Sequence, residues 1–205
     1  MKQWLKICIL ALIFCSSTSC AESLSNATKT FENEAYTPIH ASGFVIMTDN
    51  EGNTLLRVTR PWQGDNTQEQ SLAIFTDEES ATGYSGEHII GNAQRIVCMS
   101  TSHIAMLESL GLTEYIVGVS GKEYIMNSAV VGNEAVLDVG YDSNIDFERL
   151  ISLRPDIVLM YGITSENSII TAKLRELGIP YLYLGDYTEQ SPLGKAEWIV
   201  AIAEI

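Results

Sequence analysis

The chain has 205 residues, enough for one domain or a small pair, with 46% apolar residues and a formal charge of −14. That apolar fraction supports a packed core. The charge excludes nucleic acid as a partner class, because phosphate contact needs a basic patch and none is visible; an acidic surface is drawn instead to basic partners.

Lys2 and Lys6 precede an apolar run from Ile7 to Phe14, then Ser16-Ser17-Thr18-Ser19 and Cys20. The run is too short to cross about 30 Å of hydrocarbon as a helix, so residues 1–19 read as a secretory signal peptide. The small residues before Cys20 resemble a bacterial lipobox, with Ser17 where an aliphatic residue is usual, which makes Cys20 the expected lipidation site. Plain secretion with cleavage nearby is the simpler alternative. Two acyl chains hold a protein stably at a membrane and one holds it marginally. Cys8 and Cys15 leave with the signal, so Cys98 has no internal disulfide partner and reads as a small core residue. Residues 20–35 are polar and aperiodic, the composition of a tether.

Residues 36–92 read as a β-rich segment. Two strand-like runs between Gly43 and Trp62 flank Asp49-Asn50-Glu51-Gly52-Asn53, a hairpin signal with glycine where positive φ is needed. Ser71 to Phe75 adds a third strand, and 77–92, rich in glycine and charge, reads as loop. From Arg95 strand and helix alternate. RIVCM is a strand, SHIAMLESLG an amphipathic helix stopped at Gly111, YIVGV a strand and VLDVG a short extended piece. Asn144 is placed to cap a helix with Phe147, Leu150 and Ile151 on one face; DIVLMY is a strand, ENSIITAKLREL a helix ended by Gly178 and Pro180, and YLYLG a strand. The alternation predicts an α/β, Rossmann-like lobe over 93–190, a mostly parallel sheet with helices on both faces. A helix opens at Pro192, with Trp198, Ile199, Ile202 and Ile205 at apolar positions. It meets no stop signal by Ile205, so a helix cut short over 191–205 is expected.

Open parallel sheets bind ligands at the carboxyl ends of their strands. Those ends carry Ser100, Thr101, Ser102 and His103; Lys122 and Tyr124; Tyr141; Tyr161 and Gly162; and Tyr187. Tyrosine offers a flat apolar face with one hydrogen-bonding tip, which suits a bulky ligand of mixed polarity, and about half of these rings are expected to be structural. Enzyme motifs fail. Gly118-Val119-Ser120-Gly121-Lys122 has lysine where a nucleophile elbow needs its second glycine, Gly121-Lys122 lacks the rest of a phosphate loop, and His40, His88 and His103 have no zinc spacing. His103, in the first turn of a helix, reads mainly as a solvated or hydrogen-bonded histidine, with ligand contact as the alternative. Glu148 falls off the apolar face of its helix and is expected in water, where the helix dipole alone justifies it.

QRIVCMSTSHIAMLESLG, YIVGVSG, NIDFERLISLRPDIVLMYG and KLRELGIPYLYL follow one another between Gln94 and Ile205. Together they resemble the substrate-binding proteins of ABC importers for iron–siderophores, haem and cobalamin. The most specific piece is Glu-x-[Ile/Leu]-x-x-Leu-[Lys/Arg]-Pro-Asp-[Ile/Leu]-[Val/Ile], here Glu148 to Val158. The resemblance implies two α/β lobes joined by a long helix, begun here by SPLGKAEWI, with ligand held between the lobes. It implies that Glu148 pairs with basic residues of a membrane permease, a contact that steers and registers more than it adds affinity. No cofactor, resident metal or covalent chemistry is implied. The expected ligand is a ferric siderophore, else haem or a corrinoid. The expected partners are the ABC permease subunits of the inner membrane, and the expected place is the periplasmic side of the envelope, held by the lipid anchor. The second lobe is absent from these 205 residues. The rival readings are an envelope lipoprotein serving as an adhesion or interaction scaffold, and an exported enzyme.

Overall fold

The computed structural model describes residues 31–64, 68–141 and 144–205, so the signal-peptide reading and Cys20 lie outside the described residues. Five strands come first: β1 (Asn33–Tyr36), β2 (Phe44–Thr48), β3 (Thr54–Val58), β4 (Gln70–Phe75) and β5 (His88–Ile90). They form one sheet in that order, antiparallel from β1 to β4, with β5 parallel to β4. Asp49 shapes the β2–β3 hairpin: its Oδ1 accepts the amides of Glu51 and Asn53 at 2.8 and 2.9 Å, and Gly52 turns the chain at φ 86°. Two expectations are corrected. β1 begins inside the stretch read as tether; it is an edge strand of mostly exposed residues, so it pairs through its backbone and leaves no apolar pattern. The stretch read as loop holds a helical turn, α1 (Glu78–Ala81), capped by Asp77, and β5, whose three residues sit among glycines and charges with no longer apolar run around them.

The second sheet holds β6 (Ile96–Cys98), β7 (Ile116–Val119), β8 (Leu137–Asp138), β9 (Ile157–Met160) and β10 (Tyr181–Tyr183), all parallel, in the order β10-β9-β6-β7-β8. Its central strands alternate between two cores, as a strand buried on both faces must. Ile96, Cys98, Ile157, Leu159 and Leu182 face α2 (Thr101–Ser109), α6 (Pro192–Glu204) and one face of the first sheet. Val97, Val158, Met160, Tyr181 and Tyr183 face α4 (Phe147–Leu153) and α5 (Ser168–Leu177). The short helix α3 (Ser128–Val131) links β7 to β8. Cys98 is buried, and burial pushes its thiol pKa well up. The cap of α4 is Asp146 rather than Asn144, its carboxylate accepting the Arg149 amide at 2.9 Å. Leu150 and Leu153 form the buried side of that helix, and Ile151, one residue round from Leu150, is 44% exposed.

The Pro155-Asp156 pair has a structural task. Asp156 accepts the amides of Gln94 and Arg95 at 2.8 Å each, and Arg95 Nε returns a bond to the Leu153 carbonyl at 2.8 Å. These bonds register the start of β9 against the start of β6. Side chains also close the outer edge of β10 against the first sheet: Gln70 Oε1 accepts the Tyr183 amide at 3.2 Å. Two carboxylates then clamp the first sheet to α6. Glu189 accepts the amides of Ser42 and Gly43 at 2.8 and 2.9 Å and the Trp198 indole at 3.3 Å. Glu197 accepts three successive amides, Ile39, His40 and Ala41, at 2.8, 2.6 and 2.6 Å, and the Tyr36 hydroxyl at 2.7 Å.

Candidate binding cleft

The chain leaves β6 towards β7 on one side, while β9 lies on the other. Loops leaving adjacent carboxyl ends therefore diverge between β6 and β9, the place where open α/β sheets hold ligands. A cleft of about 290 Å3 opens there, lined by Met99, Ser100 and Thr101 after β6, Ser120, Gly121 and Tyr124 after β7, Tyr141 after β8 and Tyr161 after β9. A second hollow of about 410 Å3 shares Met99 and Tyr161 and runs past Gly162 and Ile163 to the start of α5.

The sequence-predicted residues divide. Ser100, Thr101, Tyr124, Tyr141 and Tyr161 meet in the first cleft, and Gly162 lies in the second. Tyr124 and Tyr141 are 66% and 48% exposed, with ring centroids 6.5 Å apart at 73°, an edge-to-face pair open to an incoming ligand. The Glu123 carboxylate, as acceptor and as charge, raises the Tyr124 hydroxyl pKa. Four others turn inward. Ser102 bonds the Ser100 hydroxyl at 2.9 Å. His103 is fully buried 3.7 Å from Asp186, with neither ring nitrogen hydrogen-bonded, so it touches neither solvent nor the cleft. Burial works to raise the Asp186 carboxyl, and the His103 ring and Ser102 hydroxyl outweigh it and hold that carboxyl below its ordinary value. Lys122 donates its ammonium to the carbonyls of Asn133 and Val136 at 2.9 and 2.7 Å, which holds the turn carrying Tyr124 to the segment after α3. The Tyr187 hydroxyl bonds the carbonyls of Gly162 and Ile163 and so fixes the loop after β9.

Sequence reasoning missed the apolar rim. Ile163 and Ile169, 61% and 77% exposed, line the second hollow; aliphatic side chains in the loop after β9 and the first turn of α5 were the available signal. Glu148 is exposed in the first turn of α4. Among the described residues no group of three His, Cys, Asp or Glu is placed to hold a metal, and no helix is long and apolar enough to cross a membrane. The cleft offers hydroxyls and aromatic faces, groups suited to holding a ligand of mixed polarity.

Residues 96–203, just over half of the 205, match the family model described as periplasmic binding protein. The chain belongs to that family. It is 26% identical over 185 residues to an uncharacterized lipoprotein of Methanocaldococcus jannaschii, covering 78% of this chain and 43% of that one. Among solved structures it is similar to the periplasmic haem-binding protein of Vibrio cholerae, with 21% identity, a TM-score of 0.44, and 54% of this chain and 40% of that one covered. The petrobactin-binding protein of Bacillus subtilis gives 19% identity and a TM-score of 0.40 over 54% of this chain and 38% of that one. The chain thus spans less than half the length of these relatives.

Proposed function

We propose that this chain is the ligand-contacting lobe of a solute-binding protein that delivers a metal chelate to an ABC importer. A ferric siderophore is the first expectation, and haem or a corrinoid the next. The observation that carries the reading is the convergence of Tyr124, Tyr141 and Tyr161 on one cleft at the switch point of a parallel sheet, in a chain of the periplasmic binding protein family. Those rings and Met99 supply apolar area, and Ser100 and Thr101 supply hydroxyls, for a bulky ligand of mixed polarity. Lipid at Cys20 would hold the protein on the periplasmic side of the envelope, beside its permease. Glu148, exposed on α4, would offer the docking charge. The protein would do no covalent chemistry.

The test is to express the complete natural reading frame in cells supplied with ferric hydroxamate, haem and cobalamin, purify the protein and record its absorption spectrum. A chelate band that co-purifies is expected. A colourless protein that also fails to bind any of the three on titration overturns the reading. Glu148→Lys is expected to impair uptake in cells while leaving chelate affinity unchanged; equal uptake would remove the docking role.

A further inference from the structure

A larger hollow, about 1120 Å3, lies away from the tyrosine cleft, beside the amino ends of β9 and β10. One wall is β5 with the turn before it, outside the stretch that matches the family model; the other is built by Pro155, Asp156 and Gly178 to Pro180. Along β5 the Ala73 amide donates to the Glu87 carbonyl at 2.9 Å and the Gly91 amide to the Phe75 carbonyl at 2.7 Å. In a parallel ladder this directs the backbone groups of Ile89 to β4 and those of His88 and Ile90 away from it. Among the described residues no strand pairs with that outer edge, and β5 lines the hollow along its whole length.

We infer that this hollow takes an extended, basic polypeptide segment of a partner protein, which adds to the free edge of β5 as a sixth strand of the first sheet. The main chain of such a segment would bond His88 and Ile90, and its side chains would confer selectivity. Ile90, 37% exposed, offers apolar contact beside that edge. Charge sets the sign of the partner. Glu78 is exposed at the hollow, and Glu87, half-buried, has Arg175 Nε only at 4.0 Å while the same guanidinium sits 2.9 Å from Glu166. The hollow's other arginine, Arg95, is bound to the Leu153 carbonyl. Glu87 also interacts with the Tyr181 amide, so a lysine or arginine on the incoming strand would meet exposed Glu78 first and share Glu87 with that amide.

The test uses the whole chain with two blocked peptides, Lys-Val-Lys-Val-Lys and Glu-Val-Glu-Val-Glu, followed by calorimetric titration and amide hydrogen exchange. The basic peptide is expected to bind and to slow exchange at His88 and Ile90; the acidic peptide is expected to do neither. Ile90→Pro removes an outward N–H that the β4 ladder does not use, and should weaken binding by about tenfold. Glu87→Gln, which keeps the edge intact, should weaken the basic peptide alone. Equal binding of both peptides, binding of neither, or full affinity in a folded Ile90→Pro protein overturns the inference. If Ile90→Pro does not fold, unchanged exchange at His88 and Ile90 on binding of the basic peptide overturns it equally.

Discussion

Two carboxylates, Glu189 before α6 and Glu197 within it, grip one stretch of chain from Ile39 to Gly43. Glu189 is 7% exposed and accepts from two amides, an indole and the Ser42 hydroxyl, so removing it leaves four donors without that acceptor. Glu189→Ala should destabilise the protein by about 2–4 kcal/mol in chemical denaturation; a loss below about 0.5 kcal/mol would show the clamp to be redundant. Glu197 gives a pH signature. Burial works to raise its carboxyl, but the amides of Ala41, Ile39 and His40 and the Tyr36 hydroxyl draw it from 4.5 to about 2. A folded pKa below the unfolded one gives stability that is complete above about 4.5 and lost as pH falls through about 2. The stability difference between wild type and Glu197→Gln should be constant from pH 7 to pH 5 and shrink from there towards pH 2. A difference unchanged across that window would contradict the assignment. None of this is legible in the sequence, because each carboxylate meets its backbone-amide partners from about 150 residues away.

At the scale of elements, Gly118 in β7 and Arg154 after α4 mark where packing sets the chain. A Cβ on Gly118 would lie 2.6 Å from Leu153 Cδ1 and 3.1 Å from Val97 Cγ2, so α4 rests directly on β7. Gly118→Ala should cost about 1–3 kcal/mol by overpacking, read from thermal or urea unfolding; a neutral result would mean that α4 has room to move. Arg154 adopts φ 45° and ψ 58°, the left-handed turn that frees Pro155 and Asp156 to open β9. Arg154→Gly should be neutral or stabilise by up to about 1 kcal/mol, and Arg154→Val should destabilise by more than about 1 kcal/mol. The reverse order would refute the strain. The α/β half was legible because its strands, short as they are, mostly lie inside longer apolar runs such as RIVCM, DIVLMY and YLYLG, punctuated by Gly111, Gly178 and Pro180. β1 and β5 were not, since both are edge strands set in polar, charged or glycine-rich sequence that carries no apolar run. The α4 cap was misplaced because Asn144 and Asp146 are equally good caps by type, and only the register of Leu150 and Leu153 against the sheet decides between them.

For the whole molecule, parallel topology specifies which loops share a rim, and that much follows from alternating strands and helices. Which side chains on the rim face outward does not. Lys122, His103 and Tyr187 lie in the right loops, yet their polar ends turn to carbonyls or into the core. The reason is local: a lysine within reach of two carbonyls and a tyrosine beside the β9 loop each have a protein partner, and the histidine sits in a buried first turn 3.7 Å from Asp186. Tyr124 and Tyr141 have no such enclosure, so the account rests on them. The decisive measurement is a fluorescence-quenching titration of the purified full-length protein with ferric hydroxamate, haem and cobalamin, run on wild type, on the double variant Tyr124→Ala/Tyr141→Ala, and on Glu148→Lys. The account predicts saturable binding of one chelate to wild type and to Glu148→Lys, weakened at least about tenfold in the double variant by loss of two aromatic contacts. Wild-type affinity in a folded double variant would contradict it.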